Sequence, residues 1–229
     1  KEKLLESSPL QKGVRGLLEL KKAHAEYYLS VAQGHDQKLR GADQSTALSL
    51  MALELDNFRT AMGFAQEKGE WKLLGELGVA LQHFFYMRGL WSEGIQCLRQ
   101  AEAELRRVKD NKWLVKALYW QGMFYHLQGN CEGARNLYTE SLYLYKELGD
   151  KLGIASSLNK LGRIAWSQGA YDEARPFFTD SLHLYRELGD KLGVAASLNN
   201  LGCVAQDQCA YDEARQLFQE SLQINREFG

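Results

Sequence analysis

Apolar residues recur at three- and four-residue steps along most of this chain, and the whole pattern returns every 40 residues. Within 151–190, Ile154, Leu158, Leu161, Ile164 and Ala165 form one stripe, while Ala174, Phe177, Phe178, Ser181, Leu182 and Tyr185 form a second. Such spacing predicts two amphipathic helices, each with one face turned inward. The stripe is interrupted at 168–170, where Gly169 suits the left-handed residue that closes a helix. Gly189 then serves as a helix stop and Asp190 as the N-cap of the next helix, as Gly149 and Asp150 do one unit earlier. The string KLGIASSLNKLG at 151–162 returns as KLGVAASLNNLG at 191–202, and YDEAR at 171–175 returns at 211–215. Units 111–150, 151–190 and 191–229 align without a gap. A fixed period of this size predicts stacked two-helix units around a continuous core.

Upstream the pattern fades. The stretch 71–110 carries a weaker copy, with Gly89 in the turn column, Trp91 in the aromatic column, and Leu98 and Ala101 in the second-helix core. Segments 19–39 and 46–68 predict a further helix pair joined by a polar loop around 41–45. Its second helix presents Leu48, Met51, Leu53, Leu55, Phe58, Met62 and Phe64 on a broad apolar face. Residues 1–18 read as a lead-in segment, helical after Pro9. The expected organisation is a divergent helical segment over 1–70, then four units at 71–110, 111–150, 151–190 and 191–229.

Composition narrows the chemistry. Lys and Arg number 28 against 29 Asp and Glu, a formal charge of -1, without the basic excess of a nucleic-acid binder. No apolar run is long enough to span a bilayer and nothing resembles a signal peptide, so neither nucleic acid nor membrane is an expected partner. Cys97, Cys131, Cys203 and Cys209 occupy four different columns with no CxxC pair, the usage of reduced packing cysteines in a cytoplasmic protein. The chain opens at Lys1 and stops at Gly229, on a repeat junction, and is expected to be a piece of something longer. His24, His35, His83, His126 and His183 share no metal-ligand spacing, and no phosphate loop, HExxH or Gly-x-Ser-x-Gly occurs. The expectation is no metal, no cofactor and no enzyme activity. The acids Asp172, Glu173, Asp212 and Glu213 fall in first helical turns, where they offset the helix dipole, and Arg175 and Arg215 suit local pairing with them.

Column by column, the chain resembles the tetratricopeptide repeat family. The residues that carry the likeness are Leu158, Leu161, Gly162, Ala165, Gly169, Tyr171, Ala174, Phe178, Ser181 and Leu182. They return as Leu198, Leu201, Gly202, Ala205, Cys209, Tyr211, Ala214, Phe218, Ser221 and Leu222. Six extra residues per unit resemble the long-helix subclass of kinesin light chains and cell-polarity adaptors. The resemblance implies an all-α, right-handed α-solenoid of antiparallel helix pairs. It also implies a non-catalytic module that holds a peptide or helix of another protein in a concave groove lined by the first helix of each unit. By that pattern the groove columns hold Tyr119, Asn159 and Asn199, then Trp120, Lys160 and Asn200, then Met123, Arg163 and Cys203, then His126, Trp166 and Gln206.

An asparagine amide in such a groove both donates to a peptide carbonyl and accepts from its N–H. Lys160 and Arg163 would contact a carboxylate or a polar side chain. Tyr119, Trp120, Met123 and Trp166 would be apolar anchors. Equally, Asn159 and Asn199 would cap packing at the helix surface, and Trp120 and Trp166 would sit buried between helices. Phe124, Tyr138, Phe177, Phe178 and Phe218 read as core.

A second resemblance rests on HAEYYL at 24–29, ALELDNFRTA at 52–61 and the LGDKLG junctions. These look like the C-terminal sensor arm of bacterial STAND-type signalling ATPases and transcription regulators. No GxxxxGK[ST] occurs here, so ATP binding does not carry over. Two other roles stand beside peptide binding. One is sensing of a small effector that controls assembly of a parent protein. The other is self-association into a homodimer through Leu217, Phe218, Leu222 and Ile224, left uncovered on the last helix. Two irregularities complete the pattern. Cys209 stands where other units have glycine, at a cost of roughly 1 kcal/mol if the residue is left-handed. Pro176 lies inside a second helix and predicts a kink or a late start.

Overall fold

The computed structural model describes residues 9–39, 41 and 43–228. Among these residues there are twelve helices and no strand. They are α1 (Pro9–Lys38), α2 (Gln44–Leu53), α3 (Leu55–Lys68), α4 (Trp71–Ala80), α5 (Gln82–Arg88), α6 (Trp91–Arg107), α7 (Asn111–Leu127), α8 (Cys131–Leu148), α9 (Lys151–Ser167), α10 (Tyr171–Leu188), α11 (Lys191–Asp207) and α12 (Tyr211–Phe228).

A beat of 20 residues punctuates the chain. Gly69, Gly89, Lys109, Gly129, Gly149, Gly169, Gly189 and Cys209 all have positive φ, and each follows the end of a helix. In the repeated closure the next residue's N–H returns into the last turn, as Ala170 N does to Ala165 O at 3.0 Å. Cys209 has φ 62, the left-handed conformation expected of it, and Lys109 at φ 57 is a second non-glycine on the same beat. The following helix is then capped: Asn130, Asp150 and Asp190 accept from the backbone N–H of Gly133, Gly153 and Gly193.

Two compact units divide the chain, Lys1–Trp120 and Gln121–Gly229, with the division falling inside α7. In the second unit, helices stack in chain order: α8 on α9, α9 on α10, α10 on α11, α11 on α12, with the first helices α9 and α11 also touching. Its core gathers Ala155, Ala165, Ala174, Phe178, Leu182, Tyr185, Val194, Leu198, Leu201 and Val204. Gly162 lets α10 approach α9 closely, since a Cβ there would stand 2.7 Å from the Phe178 ring. A buried hydroxyl ladder runs beside this core: Ser141 faces Ser157 at 3.2 Å and Ser181 faces Ser197 at 3.3 Å. Ser181 and Ser221 also donate to the Ala155 and Ala195 carbonyls. These bonds satisfy hydroxyls that would otherwise be costly to bury.

The first unit departs from the expected boundaries. The helix expected over 19–39 is the end of α1, a single 30-residue helix from Pro9, which packs on both α3 and α4. Through α4 it also touches the 71–110 pair. Residues 1–8 of the lead-in segment lie outside the described residues. The helix expected over 46–68 is broken at Glu54, and Leu53 is 81% exposed rather than inward. Leu81 likewise separates α4 from α5, although Phe85 N still bonds Leu81 O. Phe58, Phe84 and Phe85 fill this core.

Two further expectations are corrected. Helix α10 begins at Tyr171, in step with α8 and α12, and runs through Pro176 without a late start. Pro176 is exposed, so the bond it cannot donate is lost on the solvent side, where water serves the carbonyl. Phe177 and Phe218 are only half-buried, whereas Phe124, Tyr138 and Phe178 are core.

Candidate functional site

In the second unit the first helices are residues 121–127 of α7, then α9 and α11, and their shared outer side is the wall the column pattern singles out. The side chains on it separate into spent and unspent groups. Asn159 is buried and its amide is used on both sides: Nδ2 donates to Ser197 Oγ at 3.2 Å and Oδ1 accepts from Asn200 at 3.1 Å. These bonds tie α9 to α11, so Asn159 caps packing. Asn199, one unit on in the same column, is exposed. Trp166 is 36% exposed and donates from Nε1 to Asp207 Oδ2 at 2.7 Å, which ties the indole to α11. Met123 and Cys203 are half-buried, and Gln206 is exposed.

The cations behave differently. His126 on α7 and Lys160 on α9 are half-buried, and Arg163, one turn on from Lys160, is exposed. Burial, reinforced by the Arg163 charge, pushes the Lys160 ammonium down to about 7. His126 is lowered by burial first, then by the Arg163 and Lys160 charges. Nδ1 of His126 is buried without a hydrogen-bond partner.

In the first unit, Tyr119 and Trp120 are half-buried and meet edge to face at 5.9 Å. Trp120 also stands edge-on to His83 at 4.8 Å, and His83 Nδ1 shares a 2.6 Å hydrogen bond with Asp36. This aromatic and polar cluster was not singled out from the columns: Asp36 lies outside the regular repeats, and His83 stands two periods before Arg163 in the weaker 71–110 copy. Asp207, which orients Trp166, was missed as well; its only signal was a position one residue beyond Gln206 in the wall column.

On the opposite helices the arginines pair between units rather than locally. Arg175 reaches Glu213 Oε1 at 2.6 Å and Gln208 Oε1 at 2.9 Å, and Arg135 makes the same grip on Glu173 and Gln168. The neighbouring unit, not the preceding turn, lies within reach of the long guanidinium. At α12, Leu217 and Ile224 pack against the core. Leu222 is 49% exposed where its counterpart Leu182 is buried. A cleft of about 370 Å³ lies there between Tyr211, Ala214, Phe218 and Leu222. All four cysteines are free thiols, and Cys97 donates to Leu74 O at 3.6 Å inside the core. Among the described residues no helix is long and apolar enough to cross a membrane.

No curated protein sequence matches the chain. Solved structures are similar in fold. The apo form of RapI superposes with a TM-score of 0.71 at 17% identity, covering 88% of this chain and 71% of that one. A putative kinesin light chain of Podosopora anserina with nearly identical TPR-like repeats gives 0.63 at 13% identity, covering 89% and 97%. NprR, solved in complex with its cognate peptide NprX, gives 0.58 at 18% identity, covering 99% and 59%. Together with the stacked helix pairs, these make the chain an all-α solenoid. A tetratricopeptide repeat model matches residues 113–187 and 164–227, together just over half of the sequence. The chain belongs to the tetratricopeptide repeat family.

Proposed function

We propose that the wall of first helices in the second unit is a non-catalytic surface that holds a peptide or helix of another protein. The observation that carries this reading is the contrast on that wall. Asn159 and Trp166 are fixed by internal hydrogen bonds, while Arg163 and Asn199 are exposed with donors to spare and Lys160 is half-buried beside them. A hydrogen-bonded frame with unspent donors and a part-exposed aromatic ring suits an extended backbone. NprR, a neighbour in fold, is a peptide binder by its own structure. The parent role as the sensor or scaffold arm of a signalling or transcription-regulatory protein, in the cytoplasm, is part of the same proposal.

Immobilised protein should retain members of a random dodecapeptide library. Asn199→Arg with Gln206→Arg, which crowd the wall, should abolish retention, and Lys146→Glu on α8 should leave it intact. Failure to retain any peptide overturns the reading. A second role, self-association, is favoured by the exposed Leu222 and the adjoining cleft. Light scattering that finds only monomer at millimolar concentration disposes of it.

A further inference from the structure

Lys160 stands apart from the other lysines of the second unit. Lys146, Lys151 and Lys191 are exposed, and Lys151 is matched with Glu187. Lys160 is half-buried and has neither a hydrogen bond nor an ion pair among the described residues. The charges that act on it and beside it are cations: Arg163 on its own helix, and His126 on α7, which feels both. Nδ1 of His126 is buried without a partner. The first helices of this unit offer no free counter-ion. Residues 121–127 and α9 contain no Asp or Glu, and α11 contains only Asp207, which is hydrogen-bonded to Trp166.

A desolvated amine beside another cation gives up its proton and becomes a nucleophile. Burial, then the Arg163 charge, does this to Lys160 and brings it to about 7. The surroundings also select the electrophile. An aldehyde gives an imine, neutral or cationic, and an acyl donor gives a neutral amide; neither supplies the missing anion. Carbon dioxide is small and uncharged, enters a half-buried position, and leaves a negative charge on the product. We propose that Lys160 Nζ is a modification site for carbon dioxide, with Arg163 and His126 holding the carbamate that forms. The nitrogen lone pair attacks the carbon, one C=O π pair moves onto oxygen, and the nitrogen releases a proton to solvent. Amine and carbon dioxide thus become a carbamate anion and one proton, with no oxidant, reductant or cofactor consumed. The carbamate has two oxygens for the guanidinium fork of Arg163 and the ring of His126. It needs no bound peptide.

The test equilibrates the protein with isotopically labelled carbon dioxide near neutral pH. Triethyloxonium ion then ethylates any carbamate and fixes it for peptide mapping by mass spectrometry. Label should reach Lys160 on the order of a hundredfold more than a lysine side chain in a short reference peptide, whose amine stays almost wholly protonated at that pH. Arg163→Gln should cut the yield about tenfold, and His126→Gln should cut it less. At matched pH and ionic strength, carbon dioxide should also raise the melting temperature of wild type and not that of Lys160→Met. No label at Lys160, or a yield equal to that of the reference peptide, overturns the inference. Label that Arg163→Gln and His126→Gln both leave undiminished overturns the part assigned to those side chains. Capture of an aldehyde at Lys160 under borohydride, without any carbamate, overturns the choice of carbon dioxide. None of these outcomes depends on whether the wall retains a peptide.

Discussion

The helix pair 151–190 and the helix pair 71–110 follow one 40-residue pattern but close on themselves differently. In the former, Gly162 on α9 admits the ring of Phe178. In the latter, the same column holds the buried Gln82, and the close approach moves a turn earlier to Gly78, where a Cβ would stand 2.7 Å from Leu98 Cδ2 and 3.0 Å from Cys97 Sγ. The left-handed turns stay in phase through both, at Gly89 and Gly169. Caps depend on a few neighbouring residues, whereas the point of closest approach depends on which side-chain volumes face each other. The two can therefore slip relative to one another, and the break at Leu81 accompanies that slip.

The largest expected effect tests the two contacts directly. Gly162→Val should cost about 3 kcal/mol in urea unfolding, because an aromatic ring cannot shrink from the new methyls. Gly78→Val should cost about 1–2 kcal/mol, since the Leu98 terminus and the Cys97 sulfur turn aside more readily. Equal costs would show that the two approaches are the same kind of contact.

Next is Lys160, whose counterpart two units upstream is the buried Ala80. Its ammonium is lowered from the ordinary 10.5 to about 7 in the folded chain. Below pH 7 both folded and unfolded chains hold the proton, and the full cost of burying the charge is present. Between 7 and 10.5 the folded chain has lost the proton while the unfolded chain retains it, so wild-type stability rises with pH. Lys160→Met should therefore stabilise by about 1–2 kcal/mol at pH 6, after allowing for solvent screening, with the gain fading toward pH 10.5. Thermal melts across that range check both sign and window.

A smaller contrast concerns caps. Asp190 accepts from Gly193 N, whereas Asp43 at the start of α2 makes no such bond. Asp190→Ala should cost about 1 kcal/mol and Asp43→Ala only a few tenths, measured by chemical denaturation. The smallest effects are at the non-glycine turns. Cys209→Gly and Lys109→Gly should each stabilise by up to about 1 kcal/mol, and a lower melting temperature for either would contradict the left-handed backbone there.

Much of this molecule was legible from its residues, and the failures share a cause. The helix boundaries of 111–229, the caps at Asp150 and Asp190 and the left-handed Cys209 all follow from local chemistry repeated in register. The unbroken helix expected over 46–68 failed because no repeat disciplined it, and Leu53 counted as apolar while facing solvent. Arg175 was assigned to its own helix because sequence proximity says nothing of a glutamate 38 positions away. The late start expected from Pro176 assumed that a missing donor matters equally on every side of a helix.

Within the wall, the columns pointed to the first helices without ranking the side chains. Asn159 and Asn199 are the same residue in the same column, yet one is consumed by Ser197 and Asn200 and the other is exposed. The periodic string dictated helices, turns and their order, since those arise from interactions among residues within about five positions. Packing decided which amide was used up, which arginine met which acid, and which lysine lost its water. Those outcomes depend on groups some 33 to 41 residues apart that only the stacked helices bring within hydrogen-bonding distance.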